Sequence, residues 1–262
     1  MHYLRLLAVA GQRERRADSQ TRRREFRRGL PIGIGDVTAN LMAETRAAYE
    51  RWAPLYPPSA HNPLMRAEQL AMAEHWPEVA GRRALDLACG TGRYSQLLAQ
   101  SGAAQVVALD FCVPMLRQVS VATRVCGSMM QLPFAARVFN VVISGLALGH
   151  AASVHLWMAE AARVLVPGGT LLYSDFHPEA ARAGLTRSFK DQNADSCTVP
   201  HRCHAVTLQQ EAAEAANLSI DIVHEVRVGE ELREPFRKSE EFYRRWDGLP
   251  LVLIVRARKQ CT

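Results

Sequence analysis

No apolar stretch of this chain reaches the roughly 18 residues that a membrane-spanning helix needs, so no membrane span is expected. The early apolar segment Leu4 to Ala10 is short and interrupted by Arg5, which argues against a secretory leader. The six cysteines form no C-x-x-C pair. A disulfide framework is therefore not expected, and reduced thiols in a cytoplasmic protein are. Internal repeats are missing. Charge of one sign is missing from most of the chain as well. The net charge is +6, but residues 1–28 hold nine of the 32 basic and three of the 26 acidic residues, which leaves 23 of each elsewhere. A body without basic excess is not built to track a phosphate backbone, and no nucleic-acid partner is expected.

The arginine-rich stretch, residues 1–35, has few apolar anchors and reads as a disordered arm. A transit peptide, or a docking arm for an acidic partner, are the alternatives. Residues 36–262 read as one domain, and 48% apolar residues suffice for one large core. Thr38 can cap a helix to Trp52 with Leu41, Met42, Thr45, Ala48 and Tyr49 on one face. Asn62 can cap a second helix, with Pro63 at its first position, reaching Trp76. Strict strand–helix alternation follows. Strands are expected near 83–88, 105–110, 123–126, 138–144 and 169–175, and helices over 93–100, 113–120 and 153–165. Residues 186–205 read as polar and irregular. A helix over 207–216 and strands over 220–228 and 250–257 close the chain.

The segment Arg83-Ala84-Leu85-Asp86-Leu87-Ala88-Cys89-Gly90-Thr91-Gly92 reads as a buried strand entering a glycine turn, and the next strand ends on Asp110. Such a turn lets backbone approach a nucleoside, and the terminal carboxylate accepts from ribose hydroxyls. A dinucleotide fingerprint wants a third glycine where Ser95 stands, and Asp86 would repel a pyrophosphate. Downstream lie Cys126-Gly127-Ser128-Met129-Met130-Gln131-Leu132-Pro133-Phe134 and Glu160-Ala161-Ala162-Arg163-Val164-Leu165-Val166-Pro167-Gly168-Gly169-Thr170-Leu171.

In these four motifs, over roughly residues 80–175, the chain resembles the class I S-adenosylmethionine-dependent methyltransferases. Their first motif has the form (L/V)-D-x-(G/A)-C-G-T-G. The resemblance implies an α/β fold: a doubly wound, mostly parallel seven-stranded sheet whose seventh strand is antiparallel. It divides the domain into lid helices (36–80), a cofactor-binding core (81–175) and substrate-side insertions with closing strands (176–262). It implies S-adenosyl-L-methionine as cofactor, with Asp86, Ala88, Gly90 and Gly92 at its methionine end. Asp110 falls at the ribose, and Phe111, Ser128 and Met129 flank the adenine. Many relatives carry Asp where this chain has Ser128. The acceptor is expected to be a small molecule or an acyl group on a carrier, methylated at oxygen or carbon. The body is similar to the group that contains quinone C-methyltransferases and malonyl-carrier-protein O-methyltransferases. The rival readings are a nucleic-acid methyltransferase, a nicotinamide-dependent oxidoreductase and a non-catalytic methyltransferase-like binding or assembly protein.

Substrates of such sheets lie beyond the carboxyl ends of the strands. That makes His150, Asp175 and His177 the catalytic candidates, with His150 a base or an orienting group. Cys197, His201, Cys203 and His204 are four potential metal ligands in eight residues, but their spacing matches no zinc knuckle, and no metal is expected. His204 is the best substrate-facing candidate among them. Tyr49, Trp52, Tyr56, His61 and Arg66 of the lid, and Tyr243 and Trp246 before the last strand, are further candidates for lining the acceptor pocket.

Overall fold

The strands form a seven-stranded sheet in the order β3-β2-β1-β4-β5-β9-β8. The computed structural model describes residues 34–120, 123–232 and 240–261. The basic arm lies almost wholly outside the described residues. The strands are β1 (Arg83–Leu87), β2 (Gln105–Asp110), β3 (Thr123–Cys126), β4 (Phe139–Ser144), β5 (Leu165–Phe176), β8 (Leu218–Arg227) and β9 (Pro250–Lys259), while β6 (Ser188–Lys190) and β7 (Ser196–Thr198) form a separate hairpin. β1 to β5 pair in parallel, and β9 is antiparallel to both β5 and β8. The seventh-strand expectation therefore holds.

Burial on both faces explains why these strands read as nearly continuous apolar runs. Side chains alternate between two cores. Ala84, Val141, Ile143, Leu172 and Ile254 join one face, and Leu85, Leu87, Val142, Leu171, Tyr173 and Leu253 the other. Helices α2 (Pro63–Glu74) and α3 (Arg93–Gln100) pack on the first, and α5 (Val154–Val164) and α7 (Val206–Ala215) on the second. Three shorter or outer helices are α4 (Val113–Leu116), α6 (Pro178–Arg182) and α8 (Glu240–Trp246). The lid helix α1 (Ile34–Trp52) stands over the carboxyl ends of the strands. The strand order reverses between β1 and β4, so the crevice there is the topological switch point.

Several expectations shift. α1 starts four residues before Thr38, and Met42 is exposed rather than on the packed face. The Asn62 cap is as expected, its side chain accepting from Met65 N–H at 2.9 Å, but α2 stops at Glu74. α4 spans one turn instead of reaching 120. β5 begins at Leu165 because that residue pairs with Phe139, after which 166–169 loop out before Thr170 meets Val141.

Candidate functional site

The turn after β1 is built from left-handed backbone: Ala88 at φ 59°, Gly90 at 55° and Gly92 at 87°. Glycine takes that conformation without strain, whereas Ala88 does so at a cost. The turn brings the Gly90 N–H to Asp110 Oδ2 at 2.8 Å, while Oδ1 accepts from Cys112 N–H, also at 2.8 Å. Two amides thus fix the carboxylate at the end of β2, and burial raises its pKa. Asp86 is 1% exposed and lines the same cavity. Ser95 Oγ donates to its Oδ2 at 2.6 Å, yet burial pushes the carboxyl up to about 7. The serine that breaks the dinucleotide fingerprint is therefore the partner that orients Asp86.

Phe111, Gly127 and Met129 line the cavity beside Asp110. Ser128 does not; its hydroxyl accepts from Met130 N–H at 3.1 Å and closes a local turn. Gly92 likewise stays behind the wall, where an added Cβ would press on Val119 at 3.0 Å. The loop that carries Met129 is held by α5. Glu160 accepts from Leu132 N–H at 2.6 Å, and Arg163 donates to the carbonyls of Phe134 and Leu132 at 2.7 and 3.0 Å. The Glu-x-x-Arg signature is thus a clamp on the loop.

At the far end of the cavity, Tyr49, Tyr56, Leu146, His150, Phe176 and Arg187 converge. His150 Nδ1 lies 3.1 Å from the Pro200 carbonyl, which can only accept, so Nδ1 carries the proton. Arg187 Nη1 lies 2.8 Å from Nε2 and can only donate, so Nε2 is bare. Tyr49 Oη then accepts from Arg187 Nη1 at 2.6 Å and donates to Nε2 at 2.9 Å. Burial, then the charges of Arg187 and His201, hold the His150 pKa well below its usual value. The lid closes this end: Trp52 stacks on Phe189 of β6 at 4.5 Å, and Arg51 Nε donates to Asp191 at 2.7 Å. No periodicity marked that hairpin, so the sequence reading left it irregular.

Asp175 and His177 do not line the cavity. Asp175 is 1% exposed beneath it; no side chain pairs with its oxygens, and burial raises its pKa to about 7, offset in part by Arg187 and by the Phe176 and Gly149 amides. His177 caps α6, its Nδ1 accepting from Glu179 N–H at 3.2 Å, which turns its ring away from the crevice. His61 packs its ring on Tyr56, Arg66 is exposed, and Tyr243 and Trp246 belong to the first core. His204 also stays out of the cavity wall. Cys197, His201, Cys203 and His204 do not converge. Among the described residues the only such grouping is Glu74, His75 and His224.

Sequence reasoning missed Arg187 and Glu68. Glu68 of α2 is fully buried, accepting from Arg93 at 2.7 Å, Tyr94 at 2.7 Å and Ser174 at 2.6 Å. A single acid in an amphipathic helix carries no signal that it faces inward. With the solvent in its open mouth included, the cavity spans about 1040 Å³.

A family described as "Methyltransferase domain" matches residues 85–173. The chain is 34% identical over 160 residues to the 2-phytyl-1,4-naphtoquinone methyltransferase of Thermosynechococcus vestitus, covering 53% of this chain and 68% of that protein. It is 33% identical over 145 residues to the malonyl-[acyl-carrier protein] O-methyltransferase of Enterobacter lignolyticus, covering 52% of this chain and 57% of that protein. It spans 42% of the demethylmenaquinone methyltransferase of Corynebacterium urealyticum, at 39% identity over 98 residues. Its fold matches that of an S-adenosylmethionine dependent methyltransferase from Mesorhizobium loti with a TM-score of 0.59 at 24% identity, over 73% of this chain and 97% of that one. The sheet order, the turn locked onto Asp110 and these likenesses lead to one conclusion: the chain belongs to the class I S-adenosylmethionine-dependent methyltransferases.

Proposed function

We propose that the protein transfers a methyl group from S-adenosylmethionine to a small-molecule or carrier-bound acceptor. The observation that carries this reading is the pair of buried carboxylates, Asp86 and Asp110, facing one cavity with no ion-pair partner among the described residues. Buried carboxylates call for a cationic or hydroxyl-bearing ligand and repel a pyrophosphate. The residues fit a sulfonium and an ammonium on a nucleoside.

In this reading Asp86, Ala88 and Gly90 hold the methionine end, with Gly92 shaping the turn. Asp110 accepts from the ribose hydroxyls through lone pairs its two amides leave free, and Phe111 and Met129 flank the adenine. When bound, the cofactor supplies an electrophilic methyl on a good leaving group. The protein's task is then alignment and exclusion of water. Tyr49, Trp52 and Tyr56 of the lid segment wall the acceptor end. His150, neutral and with Nε2 already accepting, serves as an orienting group rather than as a strong base. Asp175 and His177 act behind the wall, as a buried carboxyl group and a helix cap. The names of the relatives support quinone-like or carrier-bound acceptors as the first classes to screen.

Calorimetric titration of the full chain with S-adenosylhomocysteine, and with NADH as control, tests the cofactor. Micromolar binding of the former that falls at least tenfold in Asp110→Ala is the expected result. Binding of NADH instead rejects the reading. Absence of either favours a non-catalytic binding protein.

A further inference from the structure

Arg187 is a cation on the cavity wall whose hydrogen-bond partners among the described residues are all uncharged. Among the described residues no Asp or Glu makes an ion pair with it. Asp175 acts on it only through space. Its hydrogen bonds go to uncharged acceptors: Tyr49 Oη, His150 Nε2, and the Leu146 carbonyl at 2.8 Å. A guanidinium has five N–H groups, and these bonds use three. The Nε–H and one Nη2 hydrogen have no protein acceptor among the described residues. The guanidinium lies 4.8 Å from the Phe176 ring centroid, in a cavity wall that is largely apolar. A cation held in such a place is costly until an anion joins it.

Three distant segments fix its orientation. Tyr49 comes from α1, His150 from the turn after β4, and Arg187 from the approach to β6. The geometry points to a receiving site for an anionic oxygen of the ligand, and we propose that the ligand is a carboxylate. The planar fork matches a carboxylate's two oxygens. A phosphate dianion fits poorly. Among the described residues no second free cation lines the cavity beside Arg187, because Arg93 is engaged with Glu68, and Asp86 and Asp110 face the same cavity. That the carboxylate belongs to the methyl acceptor rests on the methyltransferase reading; that it binds here does not.

Acetate is the smallest probe of the site, and acetamide is its neutral twin. Wild-type full-length protein should bind acetate saturably in the millimolar range at constant ionic strength and ignore acetamide. Arg187→Gln should weaken acetate at least tenfold while S-adenosylhomocysteine binding is retained, and Arg187→Lys should fall between. A shift of the Arg187 Nε–H resonance during the wild-type titration gives the answer without any variant. The proposal is overturned if wild type fails to bind acetate, binds acetamide equally, or leaves that resonance unmoved. It is also overturned if Arg187→Gln binds acetate as wild type does. Loss of S-adenosylhomocysteine binding by the wild type would instead remove the cofactor reading, and the acetate result would stand.

Discussion

The Tyr49 hydroxyl and His150 Nε2 lie 2.9 Å apart, joining the lid helix to the turn behind β4, and both meet the guanidinium of Arg187. That triangle assigns every proton. Tyr49 donates to His150, Arg187 donates to both, and His150 Nδ1–H faces Pro200. His150 is therefore neutral by construction.

Nitrogen-detected NMR should show His150 as the Nδ1–H tautomer from pH 8 down to below 6. Arg187→Met should raise its pKa only in part, because burial is the larger cause and the cation the smaller. The folded pKa lies below the unfolded value of 6.5, so this histidine's contribution to stability is complete above that pH. It is lost as pH falls below 6.5, by up to about 1.4 kcal/mol per unit. A His150 that titrates near 6.5 in the folded wild type would reject the assignment.

Asp175 gives the opposite slope over the same range. Its folded pKa of about 7 exceeds the unfolded 3.8, so stability from this group is full below 3.8 and lost as pH rises through 7. Asp175→Asn should therefore stabilise the protein at pH 8, by on the order of 2–4 kcal/mol, and much less at pH 5. Urea denaturation of both proteins at the two pH values isolates the group from His150. An equal effect at both would mean that the carboxyl is not the titrating group.

Glu68 ties the lid to the core through Arg93, Tyr94 and Ser174. Removing one partner leaves the other charge buried, so Glu68→Ala should cost about 3–5 kcal/mol in urea denaturation. Glu68→Gln keeps bonding capacity and should cost less. Gly145 depends on the same corner, since an added Cβ there would come within 2.3 Å of the Tyr94 ring. A loss under 1 kcal/mol in Glu68→Ala would show that Arg93 finds another partner.

The half of the cavity around the glycine turn was legible because its geometry is local. Asp86, the glycine turn and Asp110 each mark a strand end, and a strand's end is set by its own sequence. Ser95 also carried information, as the residue that replaced a glycine and now holds Asp86. The far end of the cavity was not legible, because it depends on contacts across more than a hundred residues. Tyr49 meets His150 and Arg187 only after the sheet has formed and β6 has met Trp52. Ser128 was not legible as a residue outside the cavity wall, because only the folded turn brings its hydroxyl to the Met130 N–H.

Arg163 supplies the last prediction. It lies 29 to 31 residues from the carbonyls it binds and touches no part of the cavity, yet it and Glu160 hold the loop that presents Met129. Its side chain is 35% exposed, so the ion pair with Glu160 contributes little to global stability. Arg163→Ala should lower the unfolding free energy by only about 1 kcal/mol. The loop amides from Met129 to Phe134 should exchange faster, because local opening no longer breaks the clamp. S-adenosylhomocysteine affinity should fall several-fold, since binding must then order the loop, and Arg163→Lys should restore little because it lacks the fork. Unchanged exchange in that loop together with unchanged affinity would mean that α5 does not position the Met129 side of the cavity.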